Sequence, residues 1–156
     1  MILGKSGEKL ELDMGSAVVH PWHLDQFGHM NVRWYAHFFD DASFQFLERL
    51  GLSLASGRDA HCVTARTTTE FKRELLAGTC LRVLGSLQRI GRKSVTLRYR
   101  MVGAGDGQEF ASCETIEVFV DAETHQSIEI PETFRRELEK LATGPADQIK
   151  ENGEVS

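Results

Sequence analysis

Proline is scarce, with only Pro21, Pro131 and Pro145 in 156 residues. Long stretches are therefore free of the residue that most disrupts helices and strand ladders. Cysteine is scarce too. Cys62, Cys80 and Cys113 are odd in number and form no CxxC pair, which excludes both a disulfide framework and a zinc framework. They read as reduced thiols in the cytoplasm, packed mostly as small apolar side chains. No apolar run approaches the ~20 residues that cross a bilayer. The opening MILGKSGEKLELDMG lacks the apolar region of a secretory signal. Positive charge is not in excess: 18 Lys and Arg stand against 23 Asp and Glu, a net charge of -5. That balance argues against nucleic acid as a partner. Internal repeats and low-complexity stretches are missing as well.

What is present is ordinary for a globular chain, at 41% apolar and 26% charged residues. The length suits one domain, 1–156, able to bury about two thirds of its unfolded surface. The core is expected over about 16–140. A polar tail, 144–156, is expected to be disordered.

The chain is organised around 22–51, WHLDQFGHMNVRWYAHFFDDASFQFLERLG. Gly28 suits a tight turn. Asn31 stands just before a periodic apolar run, where an N-cap belongs. A helix is predicted from about Val32 to Leu50, ~28 Å long at ~1.5 Å per residue. Tyr35, Phe38, Phe39, Ala42, Phe46 and Leu50 recur at three and four, so they share a face. Trp34 and Phe44 are expected to widen it.

Five strands are predicted around this helix. Ser16 to Trp22 reads as the first, with residues 1 to about 15 a loose lead-in or a short edge strand. After a connector over 51–60, His61 to Lys72 alternates Val63, Ala65, Thr67, Thr69 and Phe71 against polar residues. Thr79 to Gln88 and Ser94 to Met101 alternate likewise. Phe110 to Val120 is apolar on both faces near its end, as for a central strand. Gly-rich breaks separate the strands. A last helix is predicted from Pro131 to about Leu141, ended by Gly144-Pro145, with Phe134, Leu138 and Leu141 on one face. Short turns make neighbouring strands antiparallel, so the fold class is α+β, one curved antiparallel sheet over one long helix. Exposed sheet edges invite a second copy of the chain.

Asp25 leads the chemistry-bearing candidates. It precedes a helix start, where unpaired N–H groups and the helix dipole can hold a carboxylate or polarise a carbonyl. A carboxylate there can attack or activate water; the bland alternative is a turn and cap built by Asp25, Gly28 and Asn31. His20, His23, Asp25 and His29 cluster in sequence, but they flank Pro21 instead of taking a helical i, i+4 spacing, and no metal site is expected. His29 is expected to orient the loop or touch substrate. Arg89, Arg92, Lys93 and Ser94 share one tight turn that can hold phosphates or form a solvated hairpin tip. Glu70 is a further carboxylate, on a strand's polar face. The cysteines show no local sign of activation.

Asp25-Gln-Phe-Gly28-His29-Met-Asn31 followed by Tyr35 in an aromatic helix resembles the signature of hotdog-fold acyl-CoA thioesterases. The resemblance is to the 4-hydroxybenzoyl-CoA thioesterase-like family, and the segments RELLAGTCLRV and RIGRKSVTLRY extend it over about 16–140. It implies a hotdog fold, paired with a second chain into a homodimer or homotetramer, with the site at the subunit interface. It implies an acyl-CoA substrate, or an acyl-carrier-protein thioester, and no cofactor. It implies that Asp25 is the catalytic carboxylate. His29 and Asn31 would shape the loop and water site, and amides near Asn31 and Val32 would hold the carbonyl oxygen. The aromatics Trp22, Phe27, Trp34 and Tyr35 suggest either an apolar or aryl acyl pocket, with Trp34 and Tyr35 meeting the substrate, or core packing. Arg89, Arg92, Lys93 and Ser94 resemble the region that contacts the coenzyme A phosphates. Two positions depart from the pattern: Val32 stands where many relatives have Asn, and His23 where many have an acidic residue. Other readings are a non-catalytic acyl-binding module and an acyl-thioester hydratase or dehydratase.

Overall fold

The computed structural model describes residues 10–51 and 59–143. Strand β1 (Leu12–Val18) leads through a single 3-10 turn (Pro21–His23) to helix α1 (Val32–Arg49). Strands β2 (Ala60–Phe71), β3 (Cys80–Ile90), β4 (Ser94–Gly103) and β5 (Glu109–Asp121) follow, then helix α2 (Glu132–Thr143). The strands form one antiparallel sheet in the order β1-β3-β4-β5-β2. It is the hotdog arrangement, a curved sheet with a long helix against its concave face, and the barrel is not closed. Residues 52–58 of the predicted 51–60 connector, the Gly144-Pro145 stop and the polar tail lie outside the described residues.

The core lies between α1 and the middle strands. Tyr35, Phe39, Ala42 and Phe46 are buried on the helix, against Leu81, Val83, Leu97, Tyr99 and Met101 of β3 and β4. Each of the larger side chains contributes roughly 2–3 kcal/mol by leaving water. The helix can come this close because of Gly85. A Cβ there would meet Met14 at 2.9 Å, Tyr99 at 3.1 Å and Phe46 at 3.2 Å. Phe134 and Leu138 of α2 close one end, with Phe134 beside Phe119.

Three expectations change. The first strand is not Ser16–Trp22 but Leu12–Val18. Its polar residues are the solvent face of an edge strand: Asp13 pairs with Arg82 at 2.7 Å, and Glu11, just before the strand, with Arg100 at 2.8 Å. Beyond Val18 the chain leaves the sheet. His20 donates its N–H to His23 Nδ1 at 3.0 Å across the 3-10 turn that begins at Pro21.

Phe44 does not widen the apolar face and is 55% exposed. It lies five residues past Phe39, about 140° round a helix of 3.6 residues per turn.

In β2 the predicted alternation breaks. The register slips between Thr64 and Arg66, a bulge that adds a residue and reverses the phase. Thr64 therefore joins Thr67 and Thr69 on the wall facing α1, and Val63 is 43% exposed.

Candidate active site

The loop from Leu24 to Met30 is folded back on itself by an antiparallel bridge between those two residues. Asp25 donates its N–H to the His29 carbonyl at 2.9 Å, and Gly28 donates to the Asp25 carbonyl at 3.1 Å. Gly28 has φ 81, the left-handed region that glycine enters without steric cost. Within this turn the Asp25 carboxylate accepts the Phe27 N–H at 2.8 Å. The loop is tied down at its end. Met30 N–H reaches the Leu75 carbonyl at 2.8 Å, and Asn31 N–H the His23 carbonyl at 2.9 Å.

Asn31 caps α1 as its place in the sequence predicts, its Oδ1 accepting the Arg33 N–H at 3.1 Å. Trp34 N–H returns to the Asn31 carbonyl at 2.9 Å. Of the two amides named for the oxyanion, that of Asn31 is thus spent on His23. The Val32 N–H, first of the helix, is left without an intramolecular acceptor among the described residues.

Asp25, His29, Val32 and Tyr35 line one cavity of about 370 Å³, together with Phe71 and Glu74. Tyr35 is buried and meets Phe71 edge-on, ring centroids 5.0 Å apart. Burial, with the Glu74 carboxylate adding to it, holds the Tyr35 phenol above its ordinary value. His29 Nε2 lies 3.0 Å from Glu74 Oε2, an exposed pair worth ~0–1 kcal/mol that still aims the ring. Glu74 was not singled out from the sequence. Glu70, which was, is exposed and approaches Ser112 instead.

Trp34 does not line this cavity. It packs on His23, ring centroids 4.5 Å apart. Burial, then His20 and His37, hold His23 below its ordinary value. His20 stacks on Trp22 at 4.1 Å. These histidines build the wall behind the loop. Among the described residues no three His, Cys, Asp or Glu are grouped to hold a metal ion.

Arg89, Arg92, Lys93 and Ser94 sit at the far end of the same sheet. The start of β3 adjoins the Asp25 side, since Val19 N–H reaches the Thr79 carbonyl at 2.9 Å. The end of β3 lies ten steps on, about 33 Å at ~3.3 Å per residue. There Lys93 Nζ donates to the Ser127 carbonyl at 2.9 Å, and Arg92 lies 3.7 Å from Glu129. Within one chain the basic turn and Asp25 do not meet.

The cysteines offer no competing nucleophile at Cys62 or Cys113. Burial pushes the Cys62 thiol up to about 12, with Glu117 adding to the shift, and burial raises Cys113.

Comparison with known proteins identifies the family. The model of the thioesterase-like superfamily matches residues 19–138, so the chain belongs to that superfamily. Solved structures share the fold. A Staphylococcus aureus protein in complex with CoA superposes with a TM-score of 0.78 at 19% identity, over 97% of this chain and 99% of that one. A DHNA-CoA thioesterase from Staphylococcus aureus gives 0.69 at 15% identity, over 91% and 95%. A gentisyl-coenzyme A thioesterase gives 0.68 at 21% identity, over 78% and 98%. No curated protein matches the chain. No helix among the described residues is long and apolar enough to cross a membrane.

Proposed function

We propose that this protein hydrolyses an acyl-CoA thioester to a free acid and coenzyme A, with Asp25 as the catalytic carboxylate. One observation carries the reading: Asp25 and Val32, whose N–H is unspent, line the same cavity at the positive end of α1. A thioester carbonyl oxygen placed at Val32 N–H is polarised by that donor and by the dipole behind it. Charge that builds on the oxygen during attack is stabilised where it forms. Asp25 takes a proton from water as the water oxygen attacks the carbonyl carbon, or attacks that carbon itself. The C–S bond then breaks and the leaving thiolate takes the proton held by Asp25. Where Asp25 itself has attacked, the thiolate takes a proton from solvent and water hydrolyses the acyl anhydride, freeing the acid and Asp25. His29, held by Glu74, and the Asn31 cap keep the loop and helix start in register. Tyr35 and Phe71 wall the acyl side.

Lys72 and Arg73 of the same chain line the Asp25 cavity, engaged by Glu109 and Gln108, but the Arg89–Ser94 turn does not reach it. In a homodimer that turn adds further cations for the substrate's phosphates. β2 is a sheet edge of 12 residues with most of its length exposed, and such an edge pairs readily with its own copy. In a two-fold pair through β2 the partner's sheet runs the other way. Its Arg89–Ser94 turn then comes to the end of the sheet where this chain's Asp25 lies.

The test is thiol release from a panel of short, long and aryl acyl-CoAs by wild type, Asp25→Ala and Asp25→Asn. The reading predicts turnover by wild type and its loss in both variants, with the oligomer intact. Equal cleavage by all three removes Asp25 from the mechanism. A change in the acyl double bond without thiol release would make the protein a hydratase or dehydratase.

A further inference from the structure

A second carboxylate stands beside α1, deeper along the helix. Glu117 on β5 is only 1% exposed. Thr64 donates its hydroxyl to Glu117 at 2.9 Å and Ser43 approaches it at 3.5 Å. A carboxylate has room for about four donors, and no described Lys, Arg or His forms an ion pair with Glu117. Two residues back on the same face of β5, Thr115 is 4% exposed; its Oγ1 and the neighbouring Tyr99 hydroxyl, which also lies beside Ser43, make no well-formed hydrogen bond.

Both line a cavity of about 400 Å³ between α1 and β2/β5, a size that suits a small ligand. Its remaining wall includes Ala36, Phe39, Thr67 and Thr69. The Asp25 cavity and this one have separate linings on neighbouring residues of the same two elements. Val32 and Tyr35 line the first and Arg33 and Ala36 the second; on β2, Phe71 lines the first and Thr69 the second.

We infer that the cavity over Glu117 and Thr115 receives the far end of the acyl group, and that this end donates hydrogen bonds, as a hydroxyl or a protonated amine. Arg33 and His37 line the same cavity without forming an ion pair with Glu117, and a buried carboxylate with spare acceptor sites and no ion pair is costly when empty of donors. A terminal methyl leaves that cost in place, and a terminal donor removes it. A hydroxyl donates to Glu117 and accepts from Thr115. An ammonium donates to both and also balances the charge. The reach is set by α1: Ser43 lies 11 residues beyond Val32, roughly 16 Å at ~1.5 Å per residue. An extended chain covers that in about a dozen bonds, at ~3.8 Å per three bonds.

The inference rests on the hydrolase reading only for where the acyl group begins, so the experiment reads binding and hydrolysis separately. Binding is measured by calorimetry with coenzyme A thioethers, which cannot be hydrolysed, bearing chains of 8 to 12 atoms, about the reach of the cavity. Chains of each length end in methyl, hydroxyl or amine. Thiol release is followed on the matching thioesters.

Wild type is expected to favour both donor ends over methyl by tenfold or more. Glu117→Met should erase the preference. Glu117→Gln should keep it for hydroxyl and lose it for amine. Thr115→Val, which replaces an unpartnered hydroxyl by a methyl of equal shape, should fold normally and weaken the preference severalfold. It tests the idea even where the Glu117 variants fail to fold. An equal or methyl-favouring wild type overturns the inference, as does a preference untouched by Thr115→Val and by every folded Glu117 variant. Donor-selective binding without thiol release keeps the inference and overturns the hydrolase reading. Thiol release with no terminal preference does the reverse. No binding by any chain overturns the inference.

Discussion

Asp25 and Glu117 are both carboxylates beside α1, and they are held in opposite ways. Asp25 is half exposed, in a loop, and its partner is the Phe27 amide two residues away. Glu117 is 1% exposed, in the sheet, and its partners Thr64 and Ser43 are 53 and 74 residues away. One is held in a reachable place by its own turn. The other is assembled by the fold and enclosed by it. The first arrangement suits a group that must meet water and a reacting carbon. The second suits a group that recognises something already seated.

Asp25→Asn tests the contrast most severely. Asn keeps the side-chain oxygen that accepts from Phe27, so the loop should stand and the melting temperature should hardly move. The proton acceptor is lost, so kcat should fall by ~10²–10⁴-fold, the usual span for a general base. A variant that melts early and loses activity in proportion would make Asp25 a turn residue.

The same contrast explains what could be read in advance. The turn at Asp25, the Asn31 cap and the helical face of Tyr35, Phe39, Ala42 and Phe46 rest on contacts and spacings of four positions or fewer, although the loop's end is also tied to Leu75 and His23. Their spacing carries the information, and the structure agrees with it. The groove does not work that way. Thr64 faces α1 only because of the slip between Thr64 and Arg66, and no glycine or proline marks that bulge. Ser43 reads as one small polar residue on an apolar helix. The one available signal was Glu117 itself, a charge set between Ile116 and Val118 in a strand that is apolar on both sides. Glu74 was hidden similarly, because its meeting with His29 at 3.0 Å spans two elements. The first strand was misplaced since its polar residues look like lead-in until Arg82 and Arg100 are brought opposite them.

Glu117→Met inverts the expectation for Asp25. It removes a buried carboxylate that no described cation pairs with, so the unliganded protein should gain about 1 kcal/mol, or ~2–4 °C in melting temperature. The two hydroxyls left without an acceptor, on Ser43 and Thr64, oppose that gain. A loss of several degrees would mean that Glu117 braces the sheet and is not held in reserve for a ligand.

Gly28→Ala probes the loop from its backbone. A Cβ at Gly28 meets nothing within 4 Å, so the cost is that of φ 81 alone, about 1 kcal/mol. If Asp25 acts through its position, kcat should fall with kcat/KM while the donor-end preference at the Glu117 groove stays unchanged. Joint loss of both would show the two regions to be one mechanical unit.

The smallest effect concerns the wall behind the loop. His23 is 7% exposed, and burial, with His20 and His37 nearby, holds its pKa below the ordinary 6.5. Unfolded, the ring takes its proton near that ordinary value; folded, it does so only at lower pH. As pH falls below about 6.5 the unfolded chain binds more protons than the folded one, so stability is lost toward acid. Melting temperature followed from pH 7.5 to 5 should therefore drop less steeply in His23→Gln, which keeps an acceptor for the His20 N–H but takes up no proton. The Asn31 amide reports the same wall from the other side, because it is bonded to the His23 carbonyl at 2.9 Å. If acid loosens the wall, hydrogen exchange at Asn31 should speed up between pH 6.5 and 5 more than the intrinsic rate predicts, and more in wild type than in His23→Gln. Parallel profiles in both measurements would remove His23 from the acid response and leave it as packing for Trp34.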